Sequence, residues 1–130
     1  MKTLITLALF SFIAAPLAFA DGTADCSKDS HYPLITKTEL KSVSDSKSAF
    51  IVDVNGDDSY NKAHVPTAVH FTKADVFASQ LPADKSTLIV AYCGGVKCEA
   101  WKKAAQAACE KGYTNVKHYK EGIAGWTKGS

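Results

Sequence analysis

Thr87-Leu88-Ile89-Val90-Ala91-Tyr92 runs directly into Cys93-Gly94-Gly95-Val96-Lys97-Cys98, and from Glu99 to Lys111 the chain turns Ala-rich. The first six residues form an unbroken apolar run with β-branched residues, the composition of a strand buried on both faces. The Ala-rich stretch predicts a helix, stopped by Gly112. A buried strand that turns through Gly-Gly into a helix is the unit of a parallel sheet, and the turn lies at the carboxyl edge, where open α/β sheets place ligands.

Working outward, Thr36-Lys37-Thr38-Glu39 has the form of a capping box and opens a helix with Leu40 and Val43 on one side. Ala49 to Val54 is a second buried strand, and Asn55-Gly56-Asp57-Asp58 turns the chain. His64-Val65-Pro66-Thr67 leads into a short strand, Ala68-Val69-His70-Phe71, and a short helix spans Ala74 to Gln80. Val116 to Tyr119 is a further strand, and Glu121 to Trp126 closes the domain. Strands alternating with helices predict an α/β, three-layer fold with a mostly parallel sheet covered on both faces.

Residues 1–20 read as a secretory signal peptide. Lys2 precedes an apolar run from Leu4 to Leu17, and Ala18-Phe19-Ala20 forms a small-x-small cleavage site. The run is short for a spanning helix. Residues 21–33 are expected to form a flexible lead-in and 34–130 a single domain in a periplasmic protein. The 15 basic and 13 acidic residues nearly cancel, which argues against nucleic acid or a membrane surface as partner. Every basic residue is Lys, so no planar guanidinium is present to clasp an oxyanion. That removes Cys-x5-Arg phosphatase chemistry, whose Arg position is Glu99. A monomer with no cofactor is expected, and the histidines lack metal-ligand spacing.

Cys93 follows a buried strand, and the two glycines after it allow the backbone to curl with its amides inward. The positive end of the next helix adds donors. Such surroundings stabilise a thiolate and a sulfur-bearing anion, with Lys97 as a cation at the rim. This chemistry suits attack on the outer sulfur of an anionic donor such as thiosulfate, followed by transfer to a thiol or cyanide acceptor. Cys98 has two readings: a resolving partner for Cys93, or a small residue at the helix start. Cys109 is expected to pack in the core, while Cys26 is open between a thiol and a disulfide partner. The uneven spacing of the four cysteines reads as chemistry more than stapling. Asp53 and His64 are expected to be structural supports that lock neighbouring turns.

From Thr36 to Trp126 the chain resembles a single-domain rhodanese. The resemblance rests on Ile51-Val52-Asp53-Val54, Tyr60…Ala63-His64-Val65-Pro66-Thr67-Ala68, Tyr92-Cys93 with its loop, Gly112-Tyr113, and Gly122-Ile123-Ala124-Gly125-Trp126. It implies a sulfurtransferase with Cys93 as persulfide carrier, and a substrate-binding loop of Gly94, Gly95, Val96, Lys97 and Cys98. Asn55 stands where the family often has Arg, Thr67 where it has Gly, and Cys98 where it often has Ser or Thr. A thiol–disulfide or persulfide oxidoreductase using Cys93 and Cys98, or a non-enzymatic sulfur carrier, are the alternatives on the same fold.

Overall fold

The two apolar runs quoted above become the central strands of the sheet. The computed structural model describes residues 25–129. The signal peptide read at 1–20 and the start of the lead-in lie outside the described residues. Four parallel strands, β1 (Ala49–Asp53), β2 (Val69–His70), β3 (Leu88–Tyr92) and β4 (Val116–His118), lie in the order β2-β1-β3-β4. β1 and β3 pair along their whole length, from Ala49 opposite Leu88 to Asp53 opposite Tyr92.

Both central strands are buried on both sides, which is why their sequences do not alternate. Val52, Ile89 and Ala91 face one core with Phe77, Trp101, Ala104, Ala105 and Ala108. That core lies beneath α3 (Ala74–Gln80) and α4 (Trp101–Glu110). Ile51, Val90 and Tyr92 face the other with Leu40, Val65 and Tyr119, beneath α1 (Lys37–Asp45) and α5 (Gly122–Thr127). The architecture is the three-layer α/β fold expected.

The capping box forms at α1: Thr36 Oγ1 accepts from the Glu39 amide and Glu39 Oε2 accepts from the Thr36 amide. Two helices depart from expectation. The supposed turn at Asn55–Asp58 leads into α2 (Asp57–Lys62), and the closing segment is α5. The Ala-rich helix also begins at Trp101, two residues beyond Glu99.

Over its described part the lead-in is tied to the domain. A 3-10 turn at Asp29–His31 is followed by Tyr32, buried against α4 with its ring edge-on to Trp101. Tyr32 Oη donates to the Cys26 carbonyl at 2.6 Å, and Leu34 bridges β4 at His118. A disulfide joins Cys26 to Cys109. Cys109 does sit in the core as expected, but as a bonded half-cystine. All four cysteines are therefore paired, and stapling accounts for one of the two pairs. The reason is geometric: the lead-in passes over α4 beside the helix's only cysteine.

Candidate active site

β1 connects leftward to β2 while β3 connects rightward to β4, so the chain diverges between the carboxyl ends of β1 and β3. Such a divergence opens a crevice, and Asp53 and Cys93 lie there. The two strand ends are locked together. Tyr92 Oη donates to Asp53 Oδ2 at 2.7 Å and accepts from the Val65 amide at 2.9 Å. Asp53 Oδ1 accepts from both the amide and the side chain of Asn55, at 2.8 and 2.7 Å. Burial pushes the Tyr92 phenol far above its ordinary range, so it stays a donor. Asp53, fully buried and with both oxygens occupied, supports the turn.

His64 and His70 sandwich the Tyr60 ring at 4.0 and 4.4 Å. His64 Nδ1 lies 2.8 Å from the Tyr60 carbonyl and His70 Nε2 lies 2.7 Å from the Asn55 carbonyl. His64 thus stands in the turn around Val65 and bonds only backbone. Asn55 is a site residue that sequence reasoning noted only as a departure. A Cβ added at Gly94 would lie 3.6 Å from its Oδ1, so it borders the loop after Cys93.

That loop is clamped by α5. The Ile123 amide donates to the Cys93 carbonyl at 2.9 Å, and the Ala124 amide to the Gly94 carbonyl at 3.0 Å. Gly122 makes this approach feasible: its φ is +59°, and a side chain there would collide with the Cys93 carbonyl and the backbone of Gly94 and Gly95. In a trans peptide the N–H opposes the C=O. Two carbonyls drawn toward α5 therefore turn the Gly94 and Gly95 N–H groups the other way. That is the side of the α3/α4 core, where the Cys93 side chain lies. Among the described residues, the N–H groups of Gly94, Gly95, Val96 and Lys97 donate to no acceptor, whereas that of Cys98 donates to the Gly95 carbonyl at 3.0 Å. No side chain caps the start of α4. Unspent donors beside a helix N-terminus suit an anion.

Cys93 is 2% exposed and is joined to Cys98, which is partly exposed, with 6.3 Å between their Cα atoms. Lys97 is exposed, as is Val96 at the loop tip. On the α5 side of the loop an open depression of about 510 Å³ is lined by Gly95, Val96, Glu121, Ala124 and Lys128. Lys37 also borders it, but its Nζ is held by the carbonyls of Gly125 and Lys128. At the far end of the loop, Lys102 bridges Glu99 and Asp29. His118 stacks on Trp101 at 3.6 Å, and burial lowers its pKa to about 4. Among the described residues no group of His, Cys, Asp and Glu side chains is placed to hold a metal ion.

The family model of the rhodanese-like domain matches residues 36–129. This chain belongs to the rhodanese-like family. The domain is 26% identical over 99 residues to thiosulfate sulfurtransferase GlpE of Shewanella oneidensis, covering 75% of this chain and 94% of that protein. It is likewise 26% identical over 104 residues to the uncharacterized protein YibN of Escherichia coli K12, covering 77% and 71%. Among solved structures, the BH2092 protein of Bacillus halodurans superposes with a TM-score of 0.61 at 25% identity, over 74% of this chain and 72% of that one. The human single-domain sulfurtransferase TSTD1 shares the rhodanese-like fold, with a TM-score of 0.60 at 20% identity over 75% and 97%.

Proposed function

We propose that this rhodanese-like domain moves a sulfane sulfur from a small anionic donor, such as thiosulfate, to a thiol or cyanide acceptor by way of a persulfide on Cys93. The observation that carries this reading is the row of unspent N–H groups from Gly94 to Lys97, of which those of Gly94 and Gly95 are turned to the Cys93 side of the loop by the α5 clamp. Family membership and likeness to a thiosulfate sulfurtransferase support activity of the sulfurtransferase class.

The Cys93 thiolate attacks the outer sulfur of thiosulfate; the sulfur–sulfur bond breaks and sulfite leaves with the electron pair. The acceptor then attacks the outer persulfide sulfur, and Cys93 departs as a thiolate. Loop N–H groups stabilise each anion, and Lys97 draws the donor in. Neither step needs a side-chain base, since thiolate and sulfite are good leaving groups. Asp53 is committed to Tyr92 and Asn55. Export through the leader at 1–20 to a periplasmic location belongs to the same proposal. Two disulfides support an oxidising compartment.

The test is thiocyanate formation from thiosulfate and cyanide by reduced protein. Wild type is expected to turn over and Cys93→Ser to fall to the uncatalysed rate. A folded, reduced wild type no faster than Cys93→Ser would refute the reading.

A further inference from the structure

Within that sulfurtransfer reading, on which the following rests, we infer that Cys98 turns the domain into a sulfide-releasing enzyme: its thiolate attacks Sγ of the Cys93 persulfide, and an external dithiol reopens the bond that results. In the first step the Cys98 sulfur bonds to the Cys93 sulfur and the outer sulfur leaves as hydrosulfide. In the second, one thiolate of the dithiol attacks Cys98 and Cys93 departs. The other thiol then closes the reductant's own disulfide and frees Cys98. Two electrons pass from the dithiol to the sulfane sulfur. In sum, thiosulfate and a dithiol give sulfite, sulfide and a disulfide.

Three observations converge on this. First, the two cysteines bond within a loop whose carbonyls at Cys93, Gly94 and Gly95 are all hydrogen-bonded, so Cys98 reaches Cys93 with the clamp in place. A thiol held there acts at the high effective concentration of an intramolecular reaction. Second, access is unequal. Cys93 is 2% exposed, so its inner sulfur is met by Cys98 from within the loop and not by a thiol from solvent. Third, the same inequality directs the reopening. Cys98 is the more exposed sulfur and takes the external thiolate, while Cys93, beside the unspent N–H groups, is the better leaving group. The second disulfide joins Cys26 to Cys109 across 83 residues of sequence.

The test uses full-length protein, reduced, freed of reductant without air and mixed with thiosulfate and no acceptor. Sulfite, sulfide and alkylated tryptic peptides are measured. Trypsin cuts after Lys97, so peptides 86–97 and 98–102 separate unless their cysteines are bonded. Wild type is expected to release sulfide in about equal amount to sulfite and to yield the two peptides joined. Cys98→Ser is expected to release sulfite alone and to leave peptide 86–97 heavier by ~32 Da. If wild type instead retains the heavy peptide unjoined and yields no sulfide, the Cys98 step is overturned and the persulfide reading stands. Sulfide from Cys98→Ser at the wild-type level overturns it equally. If wild type releases no sulfite, both readings fall. The wild-type measurements decide alone should the variant not fold.

Discussion

The amide of Ile123 donates to the carbonyl of Cys93 across 2.9 Å, joining the peptide of the proposed nucleophile to a helix thirty residues further along the chain. The loop conformation is thus imposed by α5 as well as by its glycines. Its Gly94 and Gly95 N–H groups face away from α5 because α5 occupies the carbonyls of Cys93 and Gly94.

Gly122→Ala should break this arrangement. At φ +59° a Cβ costs roughly 1–2 kcal/mol, and it would also collide with the Cys93 carbonyl and the Gly94 backbone. We expect a loss of about 2 kcal/mol or more in stability, with thiocyanate formation lowered by at least tenfold in the fraction that remains folded. Thermal unfolding and the thiosulfate–cyanide assay check this. Wild-type values for both would show that the clamp is not needed.

Thr67 adopts φ +68° where the family often has Gly. The turn is held there from three sides: Ser44 Oγ donates to the Pro66 carbonyl, Tyr60 Oη to the Ala68 carbonyl, and the Ala68 amide to the Val65 carbonyl. A β-branched residue in this region pays roughly 1–2 kcal/mol. Glycine would relieve that while losing roughly 0.5–1 kcal/mol to unfolded-chain entropy. Thr67→Gly is therefore expected to stabilise by about 0.5–1 kcal/mol and to raise the melting temperature by a few degrees. A variant melting at or below wild type would contradict the strain argument.

What could be read from the chain follows the reach of each signal. β1, β3 and α1 were legible because their apolar runs and capping box are local. α2, Asp-Asp-Ser-Tyr-Asn-Lys, buries no residue and carries no apolar period. α5 contains two glycines and owes its form to contacts with the Cys93 loop and the α1 side. Cys93 and its loop stood out by position, since strand, cysteine and Gly-Gly are adjacent. The clamp at Ile123 and Ala124, the bordering Asn55 and the Cys26–Cys109 bond arise from distant segments meeting, and no local spacing announces them.

His118 gives the domain an acid-sensitive element. Burial, the largest cause, lowers its pKa to about 4; Lys120 and Lys102 add to this, while Glu99 and Asp29 oppose it. Unfolded, the imidazole titrates at about 6.5. Between those values the unfolded chain binds more protons, so stability rises with pH there. The contribution is intact above about pH 6.5 and is lost as pH falls toward 4, to an extent on the order of 3 kcal/mol. His118→Gln, which cannot titrate, should show a shallower stability slope between pH 4 and 6.5 than wild type in urea unfolding. Equal slopes would mean that His118 is not the group responsible.

The two disulfides should differ in what they stabilise and in how readily they open. Cys26–Cys109 spans 83 residues and Cys93–Cys98 spans 5. Chain-entropy arguments then give about 4–5 kcal/mol for the first and about 2 kcal/mol for the second. Each pair joins a buried sulfur, Cys93 or Cys109, to a partly exposed one, Cys98 or Cys26, but Cys93 leaves beside the unspent N–H groups of its loop. Mild dithiol treatment is therefore expected to free Cys93 and Cys98 first, with a fall in melting temperature about half of that caused by opening Cys26–Cys109. The double variant Cys26→Ala, Cys109→Ala should melt well below wild type yet still form thiocyanate at temperatures where it is folded. Differential alkylation during stepwise reduction, followed by thermal unfolding of each species, reads both effects. Opening of Cys26–Cys109 before Cys93–Cys98 would reverse the assignment of staple and reactive pair.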